Sequence, residues 1–409
     1  MAHKLKNPLQ IGPVCAFLKE LFPPELHHLV WLAGGSVRDT LRNKNIRDID
    51  IVAVIPPATL ASLGFNHIEA LTTTPIWFRH FSEYGNVEVT RLDTSDCLVE
   101  DLQRRDFTLN AMLMSLDGKI LDPLDGHKDL TILSLRPCSE RVFLDDPIRI
   151  FRAFRFEAEG FTVSREAEAL LRCRNWDEEL AKIPVERFSR EMLKALQGCD
   201  PGRFFMRMIE TGVGSGLLPE LFRMPQIPAG PLQHHPEGDL LTHAIQVLER
   251  VTAMTPSVKG RFCAFFHDLG KLSTAPELYP KHHGHDEAGF KKAEDFCRRL
   301  ALPNDYGRAL AWTSRLHGNV NRLAELRPAT RLRVAAGAVR GGIADLLPLI
   351  SMADKPGSDI AAEWRELLEV ATMNTAALGI AAEQLTAMKA GTQSEFILQK
   401  RVEFLKKTA

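Results

Sequence analysis

The run Asp48-Ile49-Asp50-Ile51-Val52-Ala53-Val54-Ile55 constrains this chain more than any other stretch. It alternates acid with isoleucine and then turns wholly apolar, which predicts a β-strand over 48–55 whose first residues reach water. Side chains at i and i+2 of a strand share a face, so Asp48 and Asp50 are expected to present two carboxylates together. The flanking pattern fits a small α/β unit over residues 30–135. Within it, 29–33 reads as a buried strand ending at Gly34-Gly35, 36–42 as a short helix, and 87–92 as a third strand. A short helix over 14–21, stopped by Pro23-Pro24, precedes them. From Asp145 onward the apolar period is helical, over 148–158 with Arg149, Arg152 and Arg155 spaced three apart, then over 165–172, 186–197 and 202–212. Residues 223–239 carry Pro225, Pro228, Pro231 and Pro236 and read as a linker, and 240–409 reads as mostly helix. The fold class is therefore α+β, a small mixed sheet followed by helical segments.

A chain of 409 residues exceeds one ordinary core, so two to four domains are expected. Lys and Arg number 51 against 52 Asp and Glu, a formal charge of −1. A nucleic-acid partner would therefore need a local basic face rather than a global field. The cysteines, Cys15, Cys97, Cys138, Cys173, Cys199, Cys263 and Cys297, are odd in number and form no C-x-x-C pair, which argues against a disulfide framework and a structural zinc site. The opening residues MAHKLKNPLQ lack an apolar signal core, and no apolar run approaches the ~20 residues that span a bilayer. A cytoplasmic enzyme with no membrane partner is expected.

Two carboxylates placed two apart on a strand can bridge two Mg²⁺ ions, which take oxygen ligands and hold substrate phosphates. One ion activates an attacking 3′-hydroxyl while the other steadies a leaving pyrophosphate. Gly34-Gly35, at a strand-to-helix turn, allows backbone N–H groups to approach a triphosphate. Glu88 on the next strand is a candidate third metal-facing carboxylate. Taken singly these signals are weak, since D-x-D is usually two surface acids and Gly-Gly usually a turn. The ordered combination of G-G-S-V-R-D with D-I-D nine residues on is far more specific.

Residues Leu32-Ala33-Gly34-Gly35-Ser36-Val37-Arg38-Asp39, followed by Arg47-Asp48-Ile49-Asp50, resemble the head motif of class II tRNA nucleotidyltransferases, the CCA-adding family of the poly(A) polymerase superfamily. The likeness continues in order. Arg104-Arg105-Asp106-Phe107-Thr108-Leu109-Asn110-Ala111-Met112 resembles the R-R-D-x-T-x-N-A block, and Asp122-Pro123-Leu124-Asp125-Gly126 the hinge block. Asp145-Asp146-Pro147-Ile148-Arg149 resembles the E-D-x-x-R block with Asp145 in place of Glu, and Glu186-Arg187 to Glu191 the final helix-stabilising block.

The resemblance implies a polymerase-β-like head that adds CMP and AMP from CTP and ATP to the 3′ end of tRNA. It implies that Asp48, Asp50 and Glu88 are catalytic with Mg²⁺. It places Gly34, Gly35, Arg38, Arg105, Asp106, Asn110, Asp146, Arg149 and Arg152 around the nucleotide. Asp146 and Arg149, three apart and expected on one helix face, would read the Watson–Crick edge as an acceptor–donor pair. Arg105 and Asp106 would contact ribose and phosphates, and Arg38 would either contact phosphate or brace the catalytic strand. One departure stands out. Only residues 94–101 separate Asp93 from the approach to Arg104, where enzymes that add the whole CCA carry a flexible loop. In this family a shortened loop goes with enzymes that add two cytidines and stop, so CC-only addition is implied. The poly(A) polymerase branch shares the head motif but carries a basic-aromatic stretch that is not found here.

The second half is rich in histidine. His243, His267-Asp268 and Asp354, separated by helical segments, are a candidate ligand set for a divalent transition metal, which would activate water for phosphoester hydrolysis. Phe265-Phe266-His267-Asp268-Leu269-Gly270-Lys271 resembles the core of the HD phosphohydrolases. His234-His235-Pro236-Glu237-Gly238-Asp239, Lys281-His282-His283-Gly284-His285 and Ala353-Asp354 fit the HD-bearing bacterial branch of the tRNA nucleotidyltransferases. His283, His285 and His317 are additional candidates. In that branch the domain has 2′,3′-cyclic phosphodiesterase, 2′-nucleotidase and phosphatase activity, suited to repair of RNA 3′ ends. A mainly hydrolytic HD protein is the competing reading. The expected division is an N-terminal preamble over 1–27, a catalytic head over 28–140, a helical nucleotide-recognition and RNA-binding neck over 141–225, an all-α HD domain over 226–360 and a helical tail over 361–409. Lys291-Lys292, Arg298-Arg299, Lys400-Arg401 and Lys406-Lys407 are candidate contacts to tRNA phosphates.

Overall fold

A computed structural model describes residues 9–46, 48–68, 76–357 and 359–408. Arg47 of the head motif lies outside the described residues. The chain divides into two compact units, one of residues up to 156 with 161–175, the other of 157–160 with 176–409.

The first unit carries strands β1 (Val30–Ala33), β2 (Ile49–Ala53), β3 (Asn66–Ile68), β4 (Ile76–Phe81), β5 (Gly85–Arg91), β6 (Leu113–Ser115) and β7 (Ile120–Leu121) in one sheet, ordered β3-β4-β5-β2-β1-β6-β7. Its helices are α1 (Ile11–Leu21), α2 (Gly35–Leu41), α3 (Pro57–Ser62), α4 (Cys97–Gln103), α5 (Gly126–Thr131), α6 (Val142–Asp145), α7 (Ile148–Ala158), whose last two residues belong to the other unit, and α8 (Arg165–Arg172). A small ribbon of β8 (Ser134–Leu135) and β9 (Thr162–Val163) completes it. Every pairing in the large sheet is antiparallel except β2 with β5. Those two are parallel because α3, β3 and β4 carry the chain across between them.

Alternation along β2 sorts the two faces. Ile49 and Ile51 are buried on one side, where Phe17 of α1 packs edge-on against Phe81 of β4. The segment before β1 is thus part of this unit's packing, and an isolated bridge joins Leu9 to Ile46. Asp50 and Val52 point to the other side. There Leu98 and Leu102 of α4 pack with Ala33, Val52 and Leu113 in one apolar cluster.

The second unit is helical among its described residues: α9 (Asp177–Leu180), α10 (Val185–Ala195), α11 (Gly202–Thr211), α12 (Pro219–Arg223), α13 (Leu240–Met254), α14 (Val258–Phe266), α15 (His285–Arg299), α16 (Asn304–Val320), α17 (Pro328–Gly341), α18 (Leu347–Asp354), α19 (Ala361–Thr372), α20 (Ala382–Thr386) and α21 (Ala390–Thr408). The C-terminal turns of α14, Phe262-Cys263-Ala264-Phe265-Phe266, are wholly apolar and lie inside: Phe262, Phe265 and Phe266 are fully buried, with Phe265 stacked on Phe205 at 3.9 Å between ring centres. No helix of the described residues is long and apolar enough to cross a membrane.

The proline-rich segment 223–239, expected as a linker, lies inside this unit. Proline has no N–H to give, but its carbonyls and its neighbours' remain acceptors. His282 Nε2 meets the Pro228 carbonyl at 2.8 Å, and Lys271 Nζ donates to the Ala229 carbonyl at 2.6 Å.

Candidate active sites

In the first unit β2 begins at Ile49, one residue later than predicted, so Asp48 sits in the bend before it and Asp50 alone lies within the strand. Ser36, buried on α2, holds that bend. Its hydroxyl donates to the Asp48 carbonyl at 2.8 Å and accepts from the Asp50 N–H at 3.3 Å. Parallel pairing sets Asp50 directly beside Glu88 of β5. Burial, then the nearby Glu88 and Asp48 carboxylates, push the Asp50 carboxyl up to about 6. A buried carboxyl raised by acidic neighbours marks a site short of positive charge, and an all-oxygen donor set suits a hard divalent cation. Gly34 borders this site at φ +59°. A Cβ there would press on Arg105 Nη1 at 3.2 Å and touch Asp50 Oδ2 at 3.6 Å, and the positive φ itself favours glycine.

Behind the acids runs a polar chain. Asp106, fully enclosed, accepts from the Phe107 N–H (2.8 Å), Asn110 Nδ2 (2.9 Å) and both Nε (2.8 Å) and Nη2 (2.6 Å) of Arg152. Burial alone would raise its pKa, but Arg152 and these hydrogen bonds win and hold the carboxyl well below the usual range. Arg38 donates to Asn110 Oδ1 at 2.7 Å and to Asp39 at 2.9 Å, which is a bracing arrangement. Arg105 is paired with Asp101 at 3.0 Å. Asp146 does not share a helix face with Arg149. It is extended (φ −154°, ψ 98°) and α7 starts at Ile148, because the residue before a proline avoids helical angles. Arg149 donates to the carbonyls of Arg104 (2.7 Å) and Val142 (3.2 Å). The hinge block is a turn in which Asp122 accepts from the N–H groups of Gly126 (2.7 Å) and His127 (2.9 Å).

In the second unit, α14 ends at Phe266 and leaves His267 and Asp268 inside the core. His243 comes from α13, His285 from the start of α15, His317 from α16 and Asp354 from the end of α18. Each imidazole is fixed from behind through Nδ1: His243 by Glu237 Oε1 at 2.7 Å, and His267, His285 and His317 by the carbonyls of Ala264 (2.8 Å), His282 (2.6 Å) and Ser314 (2.9 Å). An oxygen acceptor at Nδ1 places the hydrogen there and leaves Nε2 free to ligate. The Nε2 atoms of His243 and His267 reach Asp354 Oδ1 at 3.0 and 3.6 Å and Asp268 Oδ2 at 3.8 and 3.3 Å. His243 Nε2, His267 Nε2 and Asp268 Oδ1 are buried without a well-aligned hydrogen bond. Burial opposes charge on His267, yet Asp268 and Asp354 outweigh it and push the imidazole up to about 10. Burial likewise opposes ionisation of Asp268, but Lys271 and His267 hold it well below the usual carboxylate range. A buried set of imidazoles and acids that draws in positive charge fits a divalent ion. His283 is exposed and takes no part.

Comparison with known proteins finds relatives of both units. Three family models match: the poly A polymerase head domain over residues 64–136, a probable RNA and SrmB-binding site of polymerase A over 160–224, and the HD domain over 240–347. The multifunctional CCA protein of Cupriavidus metallidurans is 35% identical over 341 residues, covering 76% of this chain and 80% of that protein. That of Herminiimonas arsenicoxydans is 34% identical over 319 residues, covering 74% and 76%.

The chain belongs to the multifunctional CCA protein family.

It is therefore a nucleotidyltransferase with an appended HD domain, and metal-dependent as the family is. Solved CCA-adding enzymes share the fold. The Thermotoga maritima enzyme complexed with tRNA gives a TM-score of 0.63 at 19% identity, covering 97% of this chain and 94% of that one. A CCA-adding enzyme in complex with CTP gives 0.62 at 18%, with the same coverage.

Several residues that shape these sites escaped the sequence reading. Ser36 and Glu237 act from behind the acids and His243. Lys271 pairs with Asp268 Oδ2 at 2.6 Å. Gly270 permits the closest approach: a Cβ there would lie 1.9 Å from the His285 carbonyl oxygen and 2.6 Å from the Gly289 nitrogen. Gly270→Ala must push the HD turn away from α15. It is expected to destabilise the second unit by about 1–3 kcal/mol, the usual cost of overpacking, and to weaken divalent-ion binding. Calorimetric melts with and without the ion check this, and melts identical to the parent's would sink it.

Proposed function

We propose that this member of the multifunctional CCA protein family adds CMP, from CTP, to the 3′ end of tRNA at Asp48, Asp50 and Glu88, with ATP a further nucleotide for the same pocket. The observation that carries the reading is the convergence of these three carboxylates beside Gly34, with Asp50 raised to about 6 by burial and by its acidic neighbours. The acids would hold two Mg²⁺ ions, which when bound activate the 3′-hydroxyl and steady the departing pyrophosphate. Gly34 and Gly35 leave backbone open beside the acids for phosphates. Asp106 holds Arg152 and Asn110 in place, and Asp146, ahead of α7, and Arg149, within it, would offer an acceptor and a donor to the base from separate elements. In the second unit His243, His267, Asp268 and Asp354 would hold a divalent transition metal, which when bound would supply the activation of water for phosphoester hydrolysis at damaged RNA 3′ ends. The finer division into head over 28–140, neck over 141–225, HD domain over 226–360 and tail over 361–409 belongs to this reading, as does a cytoplasmic location.

The connection from β5 to α4 spans only residues 92–96. This supports a head that stops after two cytidines. The decisive assay offers tRNA lacking CCA, tRNA ending in C and tRNA ending in CC with CTP, ATP or both, with product length read on a gel. Extension of the first two to CC is expected, with little or no AMP added to the third. Efficient conversion of CC to CCA would overturn the CC-only part, and absence of any addition would overturn the whole reading.

A further inference from the structure

Two carboxylates two residues apart share a face by virtue of the pleat only where both lie in a strand. Asp48 lies before β2 begins, so another group must place it against Asp50. The end of the β1–β2 ladder shows which. Its registered pairs are Val30↔Ala53, Trp31↔Val52 and Leu32↔Ile51, the last at Leu32. Backbone groups of alternate residues along a strand point to the same neighbour. The Val54 N–H donates to the Leu29 carbonyl at 2.9 Å, which turns the even residues of this segment toward β1. The Asp50 N–H and the Asp48 carbonyl therefore face the β1 side as well. At their level β1 has ended at Ala33, and the chain has turned through Gly34 into α2.

The Ser36 hydroxyl fills that place. It accepts from the Asp50 N–H at 3.3 Å and donates to the Asp48 carbonyl at 2.8 Å, so one side chain supplies both the acceptor and the donor of a strand rung. Ser36 is itself only 1% exposed, and its own carbonyl is held by the Thr40 hydroxyl at 2.7 Å within α2. It directly follows Gly34-Gly35, yet its hydroxyl is committed to the acids' backbone and not to a phosphate.

We infer that Ser36 is a positioning residue of the head: its hydroxyl stands in for the absent β1 rung and sets Asp48 against Asp50 for divalent-ion binding. The inference rests on the three acids holding metal, as proposed above. A hydroxyl that shapes the ligand set without touching substrate acts on metal affinity and leaves the rate of the loaded head alone.

The test compares Ser36→Ala and Ser36→Cys with the parent, each as the full chain. Alanine removes only the hydroxyl, and cysteine keeps a similar shape with a weak donor and weak acceptor. Mn²⁺ binding to chelator-stripped protein is followed through the free-ion signal in electron paramagnetic resonance, and the head's share is the binding that Asp50→Asn removes. CMP addition to tRNA lacking CCA is followed against Mg²⁺ concentration. Both variants are expected to weaken the head's Mn²⁺ affinity, and to raise the Mg²⁺ needed for half-maximal addition, by about tenfold, the scale of one or two hydrogen bonds. The rate at saturating Mg²⁺ should stay close to the parent's. A lower melting temperature with unchanged Mn²⁺ affinity overturns the inference in favour of a purely structural hydroxyl. Parent-like affinity in Ser36→Cys beside a weakened Ser36→Ala assigns the effect to packing and overturns it too. A rate lost at every Mg²⁺ concentration with Mn²⁺ affinity intact moves Ser36 into the chemistry, which also overturns it. A parent that adds no CMP overturns the proposed transfer, while the Mn²⁺ measurement still decides the role of Ser36. No Mn²⁺ lost in Asp50→Asn overturns both.

Discussion

Asp50→Asn is expected to cut CMP addition to a truncated tRNA by on the order of 10³-fold while leaving the melting temperature level or higher. The rate loss follows from charge. Metal held by the acids supplies several kcal/mol of transition-state stabilisation, and each 1.36 kcal/mol is about tenfold. The stability gain follows from the same crowding. A carboxyl raised to about 6 by burial, Glu88 and Asp48 is ionised at a cost in the folded head, and a neutral amide of equal size removes that cost. Phosphoester hydrolysis in the second unit should continue at the parent rate. Addition assays and thermal melts on one preparation decide the matter. Loss of activity together with a melt several degrees lower would mean that Asp50 serves the fold instead.

The second large effect lies in the HD centre. His267→Ala combined with Asp268→Asn should abolish divalent-dependent hydrolysis of 2′,3′-cyclic phosphates, on the order of 10³-fold, and spare nucleotide addition. It should also cost stability, because Lys271 is buried and paired with Asp268 at 2.6 Å. Removing one partner of a buried pair costs about 3–5 kcal/mol. His243→Gln separates chemistry from folding, since it leaves that pair untouched. It should lose hydrolysis with a smaller drop in the melt. Hydrolysis retained in the double variant would remove the metal assignment.

Much of the head was legible because its chemistry lies in short ordered blocks. Gly34-Gly35, Asp48 to Asp50 and Arg104 to Asn110 converge on one end of one sheet. What periodicity could not show were the edge strands. A two-residue strand such as Ile120–Leu121 holds no repeat to detect. The departure of Asp146 from the helix was readable from Pro147, whose effect on its predecessor outranked the helical spacing. In the second half, spacing named His243, His267, Asp268 and Asp354, and left His283, His285 and His317 unsorted. Burial sorts them, because the chain turns at Gly284 and puts His285 inside and His283 out. Glu237 was read only as part of its motif, without a role, because its partner is six residues away across a helix start.

The proposed HD ligands His243, His267, Asp268 and Asp354 come from α13, the turn after α14 and the end of α18, segments spread over residues 243–354. An ion held by groups so far apart in the chain acts as a cross-link as well as a reagent. Every micromolar of free cation above the dissociation constant adds to the folding free energy of the whole second unit by mass action. Cellular metal supply would then set how long this half of the protein persists, not only how fast it hydrolyses.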